Sequence, residues 1–141
     1  MKKQIALAAV SPIILILGVL MHELGHTAAI IATGGVFYGI GIEGPWQGVC
    51  YGTFNHAYSL IVYPAGGTAQ SVYYFGLMRI LKEPAFVLGQ VSALLYAAYE
   101  LALNPIALSF LSGVFEGAMI IVLFLRVYSE FDRWLKNENT G

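Results

Sequence analysis

The stretch IALAAVSPIILILGVLMHELGHTAAIIAT, residues 5–33, decides how this chain is read. It is apolar almost without interruption to Leu20, places two histidines and a glutamate at 22, 23 and 26, then returns to apolar character at TAAIIA. As one helix at ~1.5 Å per residue it would be about 43 Å long, more than the ~30 Å hydrocarbon core of a bilayer. Such a helix must tilt, protrude, or bend where Pro12 removes a backbone hydrogen bond. Gly34-Gly35 is a helix stop. Lys2 and Lys3 ahead of the apolar run give it the look of a signal peptide. The apolar stretch outlasts a signal h-region, so a retained signal-anchor is expected.

The composition agrees with a membrane protein. Of the 141 residues, 58% are hydrophobic and 11% charged, where a soluble domain carries about 25% charged. The seven Lys and Arg are scattered at segment ends, which leaves no basic stripe for nucleic acid. The single cysteine, Cys50, excludes an internal disulfide.

The expected fold is an all-α membrane domain over 1–141, with about four transmembrane helices near 5–33, 59–81, 85–103 and 105–128. Residues 36–58, VFYGIGIEGPWQGVCYGTFNHAY, punctuate short aromatic and β-branched runs with glycine, and EGP is a turn signal. They read as short strands or a hairpin inserted after the first helix. Residues 129–141 read as a polar tail. The basic residues then fall on one side: Lys2 and Lys3, Arg79 and Lys82, and Arg126, Arg133 and Lys136. By the positive-inside rule both termini are expected in the cytoplasm of a multi-pass cell-membrane protein. Trp46 and Trp134 suit interfacial belts.

On a helix, His22 and His26 stack on one face. Two imidazoles in that relation can hold one Zn²⁺, and Glu23 beside them can take a proton from a water that the metal activates. Polar groups of this kind inside a lipid-spanning helix are costly and functional by default. Gly25 leaves room for another chain to approach the site closely. A catalytic zinc site needs a third protein ligand. Glu116 comes first, because it falls near the middle of the fourth apolar segment, where a carboxylate has to pair or ligate. Glu100 and His56 follow, while Asp132 reads as a solvated helix residue. The YPAGG stretch at 63–67 is either a break that lines the cavity or a plain turn.

The run HELGHTAAIIATGG resembles the opening of the M50-type intramembrane metalloproteases, the site-2-protease relatives, and in particular their small M50B-like branch. The resemblance implies that His22 and His26 are zinc ligands and Glu23 the catalytic glutamate. It also implies a short β-region after the motif helix and a later helix that delivers the third ligand. The family's usual Asn-Pro…Asp-Gly pattern is only partly present: Asn104-Pro105 lacks the aspartate, and Glu116-Gly117 is the nearest counterpart. The expected function is zinc-dependent hydrolysis of peptide bonds in membrane-embedded or membrane-proximal substrates. The alternative is a non-catalytic metal-binding membrane protein or a small metal or proton transporter.

Overall fold

Four helices and one hairpin follow one another along the chain. They are α1 (Lys2–Ala32), β1 (Val36–Glu43), β2 (Gln47–Thr53), α2 (Ser59–Leu81), α3 (Phe86–Leu101) and α4 (Ile106–Glu138). This computed structural model describes residues 2–43, 47–102 and 106–138. The expected EGP turn, Trp46 and the Asn104-Pro105 turn lie outside the described residues. The fold is all-α, with the short antiparallel hairpin inserted after the first helix.

The end of α1 shows how glycine sets up the hairpin. Gly34 has φ +75°, its N–H reaches the Ile31 carbonyl, and the Gly35 N–H reaches the Ile30 carbonyl at 2.8 Å. This is the paired closure that a left-handed glycine permits at a helix end. The chain turns back so tightly that a Cβ on Gly35 would sit 2.4 Å from the Thr53 carbonyl oxygen. β1 and β2 pair in register from Val36 opposite Thr53 to Glu43 opposite Gln47, with a bulge between Phe37 and Gly39.

One face of β2 lies along α1. A Cβ on Gly48 would meet Glu23, Cys50 Sγ is 3.5 Å from Thr27 Oγ1, and a Cβ on Gly52 would meet Ile30. Alternate strand residues thus match helix positions 23, 27 and 30, because two strand residues and one helical turn advance the chain by similar lengths. Small residues at 48, 50 and 52 let the two backbones approach.

The helices alternate in direction. α2 packs on α1 and α3, and α3 packs on α4. One core gathers Ile14, Tyr74, Phe86, Ala93, Met119 and Leu123, and a second, under the hairpin, gathers Ala29, Ile30 and Val62. Ser92 on α3 and Ser112 on α4 exchange hydrogen bonds of 2.9 and 3.0 Å between hydroxyls and backbone carbonyls. At the far end, Glu83 between α2 and α3 is paired with Arg126 of α4 at 3.2 Å.

Among the described residues, two helices are long and apolar enough to cross a membrane, α1 over Val10–Ala32 and α4 over Ile106–Lys136. Their outer faces are apolar, with Ile106 86% and Phe124 70% exposed. A water-soluble surface does not carry so many exposed aliphatic and aromatic side chains in continuous faces. α4 also extends through most of the expected tail. Arg133–Glu130 and Lys136–Asp132 pairs, three and four residues apart, support helix there.

Candidate metal centre

α1 carries His22, Glu23 and His26 in consecutive turns near the level where α2 begins. Gly25 turns toward α2, and a Cβ there would lie 2.4 Å from the Ala65 carbonyl oxygen. The room at Gly25 is taken by α2 of the same chain. Across that contact the Val62 carbonyl accepts a hydrogen bond from His26 Nδ1 at 2.8 Å. The bond places the ring proton on Nδ1 and leaves the Nε2 lone pair facing inward.

Three ligand atoms converge there. His22 Nε2 and His26 Nε2 are 3.0 Å apart, and Glu100 Oε1 of α3 lies 3.2 and 3.1 Å from them. With the His26 proton on Nδ1, its Nε2 and the Glu100 carboxylate are both acceptors. Two acceptors at this distance must share a proton or a metal cation. A tetrahedral ion with bonds of ~2.0–2.1 Å sets its ligand atoms about 3.3 Å apart, close to the observed triangle.

Two further features fit a metal. Glu100 Oε2 is buried and has no hydrogen-bond partner. Gly66 of α2 faces the two imidazoles, and a Cβ on it would be 2.3 Å from His26 Nε2 and 2.6 Å from His22 Nε2. Glycine at 66 therefore keeps a concave space against the ligand nitrogens that any side chain would fill. The donor set of two imidazoles and one carboxylate suits a divalent ion of intermediate softness.

Glu23 is 4% exposed and sits beside this triangle, outside it. The Cys50 backbone N–H hydrogen-bonds its carboxylate, and Gly48 leaves it room. The hairpin thus holds the glutamate over the ligand set. Tyr96 of α3 stands edge-on to the His22 ring with centroids 5.1 Å apart.

The structure does not bring Glu116 to the imidazoles. Among the described residues the cluster consists of His22, His26 and Glu100, so the carboxylate that meets the histidines is Glu100. Glu116 is half-buried on α4, near Tyr74. His56 opens a short 3-10 turn (His56–Tyr58) and its ring packs against Phe54. Asp132 pairs with Lys136. The YPAGG stretch is continuous helix within α2, and it does line the site, through Gly66.

A sequence signal for Glu100 existed in the small residues. Gly66 and Gly67 are adjacent but face different neighbours: a Cβ on Gly67 would meet the Ala93 carbonyl oxygen at 2.4 Å and the Ala97 nitrogen at 2.6 Å. Ala93, Ala97 and Glu100 share one face of α3, so the contact that buries the alanines points Glu100 to the same side as the imidazoles.

No family model, curated protein or solved structure matches this chain.

Proposed function

We propose that the protein is a zinc-dependent intramembrane endopeptidase related to the M50-type metalloproteases, with His22, His26 and Glu100 as ligands and Glu23 as the general base. The observation that carries this reading is the triangle of ligand atoms 3.0–3.2 Å apart with a buried carboxylate held beside it. Zinc bound there supplies Lewis acidity toward a water and a scissile carbonyl. The chain's own groups do the rest. Glu23 takes the proton from the attacking water and returns it to the departing amide nitrogen. The Val62 carbonyl fixes the His26 tautomer, and the Cys50 N–H fixes Glu23.

The substrate is a membrane-embedded or membrane-proximal protein or peptide that presents an extended backbone, since a helical one keeps its carbonyls in internal hydrogen bonds. β2 passes Glu23 and belongs to a two-stranded sheet, so among the described residues each strand has an edge without a strand partner. Pairing along such an edge would hold the substrate extended. In this reading α2 and α3 cross the bilayer together with α1 and α4, and the absence of Lys and Arg from 36–58 favours a hairpin on the side opposite the cytoplasmic termini.

Glu23→Gln tests the assignment. Zinc content should stay at the wild-type level while cleavage of a fluorescent unstructured protein in detergent is abolished. Zinc binding without wild-type cleavage would instead identify a metal-binding or transport protein.

A further inference from the structure

Most polar groups around the ligand triangle are already engaged. The His26 Nδ1–H bonds the Val62 carbonyl, the Thr27 hydroxyl bonds the Glu23 carbonyl at 2.9 Å, and Glu23 receives the Cys50 N–H. Two are not: Glu100 Oε2, which is an acceptor, and the Tyr96 hydroxyl, which is a donor. Tyr96 lies one helical turn before Glu100, its ring touches the rings of His22 and Tyr99, and its phenol is within electrostatic reach of Glu100, Tyr99, Glu23 and Glu116. Among the described residues its O–H makes no hydrogen bond, and the side chain is only half-buried. An O–H donor in this position, still accessible, has its acceptor to come.

We infer that Tyr96 is a further catalytic residue, whose hydroxyl donates a hydrogen bond to the carbonyl oxygen of the scissile peptide as negative charge develops on it. The inference rests on the peptidase reading of the same site. In the step, the water oxygen bonds the carbonyl carbon, its proton passes to Glu23, and the C=O π pair moves onto the carbonyl oxygen. Tyr96 keeps its proton throughout and stabilises that oxygen. When the C=O bond re-forms, the C–N bond breaks and Glu23 delivers the proton to nitrogen. Carboxylic acid and amine are the products of one peptide and one water. A donor fixed where charge develops lowers the barrier because it does not need to reorganise during the reaction. The edge-on contact with His22 gives the phenol that fixed orientation.

Tyr96→Phe retains the ring, hence the packing against His22, and removes only the hydroxyl. Three readouts on purified full-length protein test the inference: the visible absorption of the Co²⁺-substituted protein, kcat and KM on fluorescent casein, and calorimetric affinity for a dipeptide phosphinate that mimics the tetrahedral carbon. The expected result is an unchanged Co²⁺ spectrum, kcat lower by about 100-fold at similar KM, and phosphinate affinity lower by a comparable factor. Wild-type kcat and phosphinate affinity in Tyr96→Phe would overturn the inference and leave the peptidase reading intact. So would a loss of activity accompanied by a changed Co²⁺ spectrum, which marks a packing role. A wild-type protein that binds Co²⁺ but neither cleaves casein nor binds the phosphinate would overturn the peptidase reading, and this inference with it.

Discussion

Gly66→Ala is the smallest change that should expel the metal. The added methyl carbon would lie 2.3 Å from His26 Nε2 and 2.6 Å from His22 Nε2, the side from which both lone pairs are shared. An ion bonded at ~2.0–2.1 Å to both nitrogens cannot also tolerate a methyl at bonding distance from them. At least one imidazole must swing away. Zinc binding by a full four-ligand site is worth about 10–16 kcal/mol, so one lost ligand corresponds to roughly 3–4 kcal/mol, about 100- to 1,000-fold in affinity. The assay is competition with a chromophoric chelator, read beside metal content by mass spectrometry. Two glycines serve as controls. Gly76→Ala meets nothing within 4 Å and should leave zinc affinity unchanged while firming the helix by about 0.5–1 kcal/mol. Gly67→Ala drives a methyl into the α3 backbone and should lower thermal stability first. Wild-type zinc affinity in a folded Gly66→Ala protein would contradict this placement, because the two Nε2 atoms would then not share an ion on that side.

Other perturbations separate the parts of the site. Gly48→Ala places a Cβ 2.7 Å from Glu23 Cγ and 2.8 Å from its Oε1; cleavage should fall at least tenfold while zinc content holds, and a loss of zinc instead would show that β2 supports the ligands rather than the base. Ser92→Ala and Ser112→Ala should each lower detergent-solubilised stability by about 0.6–1 kcal/mol, with the double variant less destabilised than their sum, because the two hydroxyls also contact each other at 3.0 Å. Additive losses in the thermal-melt cycle would contradict a shared pair. On the hairpin, the Tyr51 hydroxyl donates to Glu43 at 2.7 Å, and that carboxylate pushes the phenol above the ordinary tyrosine range. The bond therefore contributes below the usual phenol range and is lost as pH rises through the elevated value. Glu43→Gln should bring the Tyr51 titration, followed by carbon NMR, back down; an unmoved titration would break the assignment.

The fold was legible where local chemistry decides it. Gly34 and Gly35 announce the end of α1, and the glycine-punctuated run after them gives the hairpin, because left-handed backbone and tight approach demand glycine. The HELGH spacing gives the paired imidazoles, since four residues on a helix leave little alternative. The third carboxylate was not legible by the same means. Its place near the middle of the fourth apolar segment makes Glu116 the first choice, which assumes that depth along a helix decides the partner. Instead β2 lies alongside the last turns of α1, from Glu23 to Ile30, and α3 meets His22 with its own final turn. Which face of a helix turns inward is a tertiary matter, visible in the sequence only through small residues such as Gly67, Ala93 and Ala97. The length of α4 was also hidden, because the polar composition of 129–138 fits a solvated helix as well as a tail.

The most direct test of the central claim is zinc content per chain in detergent-purified protein, for wild type, Glu100→Ala and Glu116→Ala. One zinc is expected in wild type, one in Glu116→Ala, and a loss of most of it in Glu100→Ala. Zinc retained in Glu100→Ala but lost in Glu116→Ala would contradict the site as described, and no zinc in metal-replete wild type would contradict the metalloprotease reading altogether.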